Sequence, residues 1–296
     1  MTMPVLIFDR ALARRRLARA AASGKADDFL LARAGDELCE RLSAVKRTFS
    51  EILDCGTPSP RLAFSLAEKL RPRLFVRMAP VLETAGPKTL LSLVGDEENL
   101  PLAQERFDLA VSALSLQNLN DLPGALLQLR HALKPDGLFL GCLPGGATLT
   151  ELRKALAVAE TEICGGMSPR VAPFADVRDL GLLLQRAGFA LPVADSETVT
   201  IRYAHMFALI ADLRAMGAAN ALAARLRKPT PKAIFLRAAE VYAERFSDPD
   251  GRLRATFELI FLSGWAPHES QQKPLAPGSA KMRLADALAL QKANRK

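Results

Sequence analysis

Residues able to do chemistry gather in four short stretches of this 296-residue chain. The first is Asp54-Cys55-Gly56-Thr57-Pro58-Ser59-Pro60, which follows the apolar pair Ile52-Leu53. A glycine turn between a strand and a helix lets the backbone take positive φ and come close to a ligand. Free N–H groups at the helix start then attract polar and carboxylate atoms. Proline has no N–H and fixes φ near about −65°. It also pushes the preceding residue to extended geometry. Pro58 and Pro60 therefore remove two donors and put two rings where a ligand would lie. The second stretch is Gly95-Asp96-Glu97. In the third, Gln117-Asn118 leads to Asn120 and Asp121; Asn118, Asn120 and Asp121 read as caps of the helix that follows. The fourth is Glu160 and Glu162, just before the loop Gly165-Gly166-Met167-Ser168-Pro169-Arg170. Paired carboxylates can do acid–base or metal chemistry. An i, i+2 pair does not share a helix face, so solvated charge is the expectation for these two.

Other chemistry is thin. His131, His205 and His268 are the only histidines, and none has a Cys or His partner at metal spacing. His131 reads as structural. His268, beside Glu269, reads either as functional or as a loop residue. Cys39, Cys55, Cys142 and Cys164 are far apart, which excludes a disulfide framework or zinc knuckle and suits reduced thiols. Net charge is +8, with a local excess at Arg10, Arg14, Arg15, Arg16 and Arg19; this reads as a solubilising surface. The aromatic residues Tyr203, Tyr242 and Trp265 form no stacking platform, so no specific nucleic acid partner is expected. No apolar run reaches the roughly 18 residues a membrane span needs. The start is a poor signal peptide, because charge follows a short apolar run.

These residues need elements to position them. Two helices are expected over 8–47, broken near Ser23-Gly24, since Leu30, Leu31, Ala34, Leu38 and Leu42 fall near a helical period. Strands are expected at Ile52-Leu53, Arg73–Met78, Leu90–Val94, Phe107–Ala113 and Leu138–Leu143. Helices are expected at Leu62–Leu70 and Asp121–Leu133, with Lys134-Pro135-Asp136-Gly137 a tight turn. Alternation of this kind predicts a parallel sheet covered on both faces, with ligands beyond the carboxyl ends of its strands. Residues 144–270 read as helix-rich, with helices at Thr150–Glu160 and Val177–Ala187 and a late strand, or two, at Val193–Tyr203. Ala204–Met216, Pro231–Phe246 and Leu253–Gly264 complete that helix-rich part, followed by a Pro-rich segment at 266–280. The fold class is thus α/β, doubly wound and mostly parallel, with N-terminal helices and helix-rich C-terminal additions. Its expected divisions are a helical segment at 1–47, a core at 48–143, a completion of the same domain at 144–280 and a tail at 281–296.

Several strings, taken together, resemble the S-adenosylmethionine (SAM)-dependent methyltransferase superfamily. They are FDRAL at 8–12, ILDCGTPSPRLAFSL at 52–66, the run from Gly95 to Gly141, TLTELRKAL at 148–156, AETEICGGMSPRVAPF at 159–174, DLGLLLQRAGF at 179–189, MFALIADLRAMG at 206–217 and GWAPHESQ at 264–271. They resemble most the mitochondrial complex I assembly-factor branch, of arginine hydroxylase type, and its bacterial relatives. The resemblance covers nearly the whole chain. It implies a Rossmann-like methyltransferase core and SAM as cofactor, with Asp54, Gly56, Asp96 and Glu97 at cofactor-binding positions. The superfamily turn reads D-x-G-x-G-x-G, and its second and third glycines fall on Pro58 and Pro60. An acidic residue usually closes the second strand and holds the ribose; Arg77 stands there. Arginine only donates. Arg77 reads either as an exposed strand-end residue or as a donor to a phosphate or an acidic partner. Asp96 matches the adenine-contacting position, or it caps a turn. Gln117-Asn118 replaces the His-Trp of the pattern. The 160–170 region resembles a lid over the substrate side. The resemblance implies a factor in respiratory complex I assembly that is weakly active or non-catalytic, with a complex I subunit as partner. The alternative is an active SAM-dependent methyltransferase or arginine hydroxylase acting on such a subunit. The expected compartment is the cytoplasm, or the mitochondrial matrix in a eukaryote, with any membrane contact peripheral.

Overall fold

The computed structural model describes residues 6–23, 29–81 and 90–272. Gly24 of the expected helix break, most of the Pro-rich segment and the 281–296 tail lie outside the described residues.

Among the described residues, seven strands form one sheet: β1 (Glu51–Cys55), β2 (Leu74–Ala79), β3 (Leu90–Val94), β4 (Phe107–Ala113), β5 (Leu133–Pro144), β6 (Ala190–Tyr203) and β7 (Leu253–Trp265). Their order is β3-β2-β1-β4-β5-β7-β6. The first five are parallel, while β7 runs antiparallel to both β5 and β6. The doubly wound, mostly parallel α/β architecture is as expected. The order reverses at β1 and β4, so their carboxyl ends open the crevice where ligands bind in such sheets.

Strand periodicity sorts the core. Ile52, Phe75, Leu109, Leu138 and Leu140 face helices α2 (Phe29–Ser43) and α3 (Arg61–Leu70). Leu53, Val76, Ala110 and Phe139 point the other way, against α4 (Leu122–Ala132) and α6 (Val177–Arg186). Successive residues of a strand take opposite faces, so both faces of these short apolar strands are buried. Each fully buried Leu or Phe stabilises by roughly 1.5–3 kcal/mol. A third cluster joins α5 (Thr150–Cys164), α7 (Met206–Ala215) and α8 (Lys232–Phe246) to Phe257 and Tyr203. Helix α1 (Arg10–Ser23) differs, because Ala20 is its one buried residue.

Three expectations need correction. Leu253–Gly264 is not part of a helix-rich run. It is strand β7, whose alternating Leu253, Ala255, Phe257 and Leu259 bury one face and whose whole length pairs with β6. Val193–Tyr203 is one strand, not two, and starts at Ala190. Lys134–Gly137 does not precede the fifth strand but lies within it, with Asp136 at φ 63° and a register shift against β4. Pairing of Asp136 and Gly137 with Ala266 carries the strand through that bulge.

Candidate functional site

The crevice is built on the turn after β1. Gly56 takes φ +80°, and its N–H donates to the Met78 carbonyl at 2.7 Å. The next residue turns inward: Thr57 is fully buried, its hydroxyl donates to Asp54 Oδ1, and it accepts from the Ala113 N–H at 3.1 Å. Ser112 Oγ donates to the Cys55 carbonyl at 2.7 Å. Pro60 then stands as the N-cap of α3, with no side-chain capping bond. The turn is thus closed on its own framework: the N–H of Gly56 faces another strand, and Pro58 and Pro60 have none.

Arg77 corrects the reading of an exposed strand end, since its side chain is only 2% exposed. It sits on β2 in register with Asp54 on β1. Its Nη2 donates to the Thr57 carbonyl at 2.8 Å, and its Nε lies 3.6 Å from Asp54 Oδ2. Asp54 has no exposure. A guanidinium thus packs inside the turn, at the position where the methyltransferase pattern has a carboxylate facing a ligand. Burial of ions is costly unless they are paired and hydrogen-bonded; here the two charges face each other at 3.6 Å and each is hydrogen-bonded to Thr57.

Beside the turn lies a cavity of about 100 Å³, walled by Gly56, Pro58, Glu97, Ser115 and Gln117 below and by Arg10, Arg14 and Leu17 of α1 above. Of the four sequence-predicted cofactor positions, Gly56 and Glu97 line it. Asp96 binds at its rim to arginines, and Asp54 lies beneath in the Arg77 network. Arg10 reaches Asp96 at 2.6 Å and Glu97 and Glu98 at 2.8 Å each; Arg14 reaches Asp96 at 2.8 Å. Burial pushes the Glu97 carboxyl above its ordinary range, only partly offset by Arg10 and Arg14. Burial alone would raise Asp96 too, but the Glu98 N–H and then Arg10 outweigh it and hold it low. Cys55 is fully buried, and burial first, then the Glu97 and Asp54 charges, push its thiol well up.

Sequence reasoning passed over Arg10 and Arg14 as surface charge. Their i, i+4 spacing, which puts both on one helix face, was the available signal. Asn120 is not a helix cap: it accepts from the N–H groups of Ile7 and Phe8 at 2.9 and 2.8 Å and so fixes the entry to α1. Asp121 alone caps α4, accepting from the Gly124 N–H at 2.8 Å. Gln117 donates to the Leu114 carbonyl.

The fourth stretch also departs from expectation. Glu160 is not a solvated charge but is buried, with its side chain 5% exposed. It accepts from Arg170 Nε and Nη2 at 2.8 and 2.7 Å and from the Ser168 N–H at 3.0 Å. Arg170 first, and then the Ser168 bonds, outweigh the burial that would raise it and hold the Glu160 carboxyl down to about 2. Glu162 is exposed and pairs with Arg237. His268 lies on the surface beside Ser270, and no group of three or more metal-ligating side chains occurs among the described residues.

Substituting Gly56 by alanine is expected to destabilise the protein by about 1–3 kcal/mol. A Cβ there would stand 2.7 Å from Ser115 Oγ and 2.9 Å from Glu97 Oε1, on a residue at positive φ. The midpoint of urea unfolding measures the loss.

Comparison with known proteins places these features in context. A methyltransferase-domain profile matches residues 73–141. The arginine-hydroxylase NDUFAF5, mitochondrial, of Danio rerio is 38% identical over 289 residues, 95% of this chain and 89% of that protein. The protein of the same name from Homo sapiens is 39% identical over 93% of this chain and 81% of its own. A malonyl-[acyl-carrier protein] O-methyltransferase of Methylovorus sp. is 32% identical, covering 90% of this chain and 92% of that one. Among solved structures, the YcgJ protein of Bacillus subtilis superposes with a TM-score of 0.55 at 12% identity, covering 79% of this chain and 99% of that one. That likeness concerns the fold alone.

Proposed function

Because the chain belongs to the NDUFAF5 arginine-hydroxylase branch of the class I SAM-dependent methyltransferases, we propose that it acts in respiratory complex I assembly as a weakly active or non-catalytic factor that holds a complex I subunit. The observation that carries this reading is Arg77, folded into the turn against Asp54 and Thr57. The residues present do not fit SAM. The ribose-holding carboxylate is replaced by a cation, the turn offers no amide at Pro58 or Pro60, and Asp96 is engaged by Arg10 and Arg14. About 100 Å³ of space also falls short of the roughly 300–1,000 Å³ of pockets that enclose drug-sized ligands.

The relatives' names favour a second reading, an active methyltransferase or arginine hydroxylase in which Asp54, Gly56, Asp96 and Glu97 still contact the cofactor. The partner in both readings is a protein, met in the cytoplasm or, in a eukaryote, in the mitochondrial matrix. No described helix is long and apolar enough to cross a membrane.

Deleting the gene and analysing complex I by native gel and mass spectrometry tests the proposal. The expected result is loss of assembled complex I on deletion, with no methyl or hydroxyl increment on any subunit that depends on the gene. Intact complex I in the deletion strain would overturn the assembly role. A gene-dependent increment would overturn the non-catalytic part.

A further inference from the structure

Helix α1 is attached to the rest of the molecule differently from its neighbours. Helix α2 buries Leu30, Leu31, Ala34, Gly35, Leu38, Cys39 and Leu42, whereas α1 buries Ala20 alone. Its entry is pinned by buried Phe8, bridged to Leu222, and Leu17 packs on Gly217, but most of what fixes α1 itself is polar. Arg10 spans Asp96, Glu97 and Glu98, Arg14 reaches Asp96, Asp9 pairs with Arg225 at 3.1 Å, and Arg16 donates to the Asn220 carbonyl. The underside of the helix, at Arg10, Ala13, Arg14 and Leu17, is the roof of the cavity over Gly56. Elements with few buried apolar contacts open at lower free energy than the core. Salt screens attraction between exposed charges, with a Debye length that falls from about 10 Å at 0.1 M to about 3 Å at 1 M, and weakens partly buried pairs such as Arg10 with Glu97 much less.

We propose that α1 is a lid held shut by ion pairs, which opens as a unit while the sheet stays folded and thereby controls access to the cavity at the carboxyl ends of β1 and β4. Arg10 is its latch, because one guanidinium engages three carboxylates on the loop after β3. Opening of the lid takes both Arg10 and Arg14 off Asp96 and Glu97. The device rests on how α1 is attached and not on what the cavity takes, so its failure and that of the functional reading are separate results.

Hydrogen–deuterium exchange on the full chain tests it. In dilute salt the α1 amides exchange slowly. In Arg10→Gln they exchange about tenfold faster and in about 1 M NaCl about threefold faster, while α2 and β4 keep their protection. A cysteine at position 117, placed as Gln117→Cys in a Cys164→Ser background, reports the cavity directly. Its labelling by a maleimide rises by about the same factors under the same two conditions. The salt series on the unsubstituted chain stands even where Arg10→Gln folds poorly. Exchange in α1 that changes by less than about twofold, or that rises only together with α2 and β4, would overturn the lid.

Discussion

Replacing Arg77 by methionine is expected to lower the unfolding free energy by about 3–5 kcal/mol. The substitution leaves Asp54 with no exposure and without its facing cation, and it removes the donor to the Thr57 carbonyl. A buried carboxylate stripped of its partner costs far more than the pair contributes, which gives the prediction a sharper form. Adding Asp54→Asn to Arg77→Met recovers much of the loss, because asparagine still accepts from Thr57 but carries no charge. Urea unfolding of the two single variants and the double variant measures the coupling. Equal losses in single and double variants would show that Arg77 acts by packing alone.

The second large effect lies at Glu160. Its carboxyl is held at about 2 against an ordinary value of 4.5. A carboxylate lowered on folding stabilises fully above its unfolded pKa, and that stabilisation is lost as pH falls through the folded value. The contribution is about 3 kcal/mol, and it fades between about pH 4.5 and pH 2. Arg170→Ala removes the first cause of the shift and leaves Glu160 buried without its cation. The variant is expected to be less stable at neutral pH by about 3 kcal/mol. Its stability then changes less than that of the unsubstituted chain over the acid range. Thermal unfolding of both proteins across that range checks the sign. Parallel profiles would mean that the pair does not hold the 165–170 loop.

The parallel half of the sheet was legible because both faces of β1, β2 and β4 are apolar and short turns punctuate them. β7 was not, since a thirteen-residue antiparallel strand with apolar residues on both faces, such as Leu259-Ile260-Phe261-Leu262, carries no clean alternation by which to tell it from a helix. At the site, Gly56, Pro58 and Pro60 announced an altered turn, because proline chemistry is local. What Arg77 does was hidden, since its partners Asp54 and Thr57 come from another strand and become neighbours only through β1–β2 register. Glu160 was misjudged for a similar reason: its cation, Arg170, lies ten residues on, across a glycine loop that helical spacing does not describe. The Arg10–Asp96 contact spans 86 residues, and no pattern in either segment alone points to the other.

The turn after β1, packed with Thr57, Arg77 and two prolines, is expected to refuse an adenosyl ligand. Isothermal titration of SAM into the purified full-length protein tests it most directly. No saturable heat is expected up to about millimolar ligand. A one-to-one isotherm with a dissociation constant of about micromolar would contradict it.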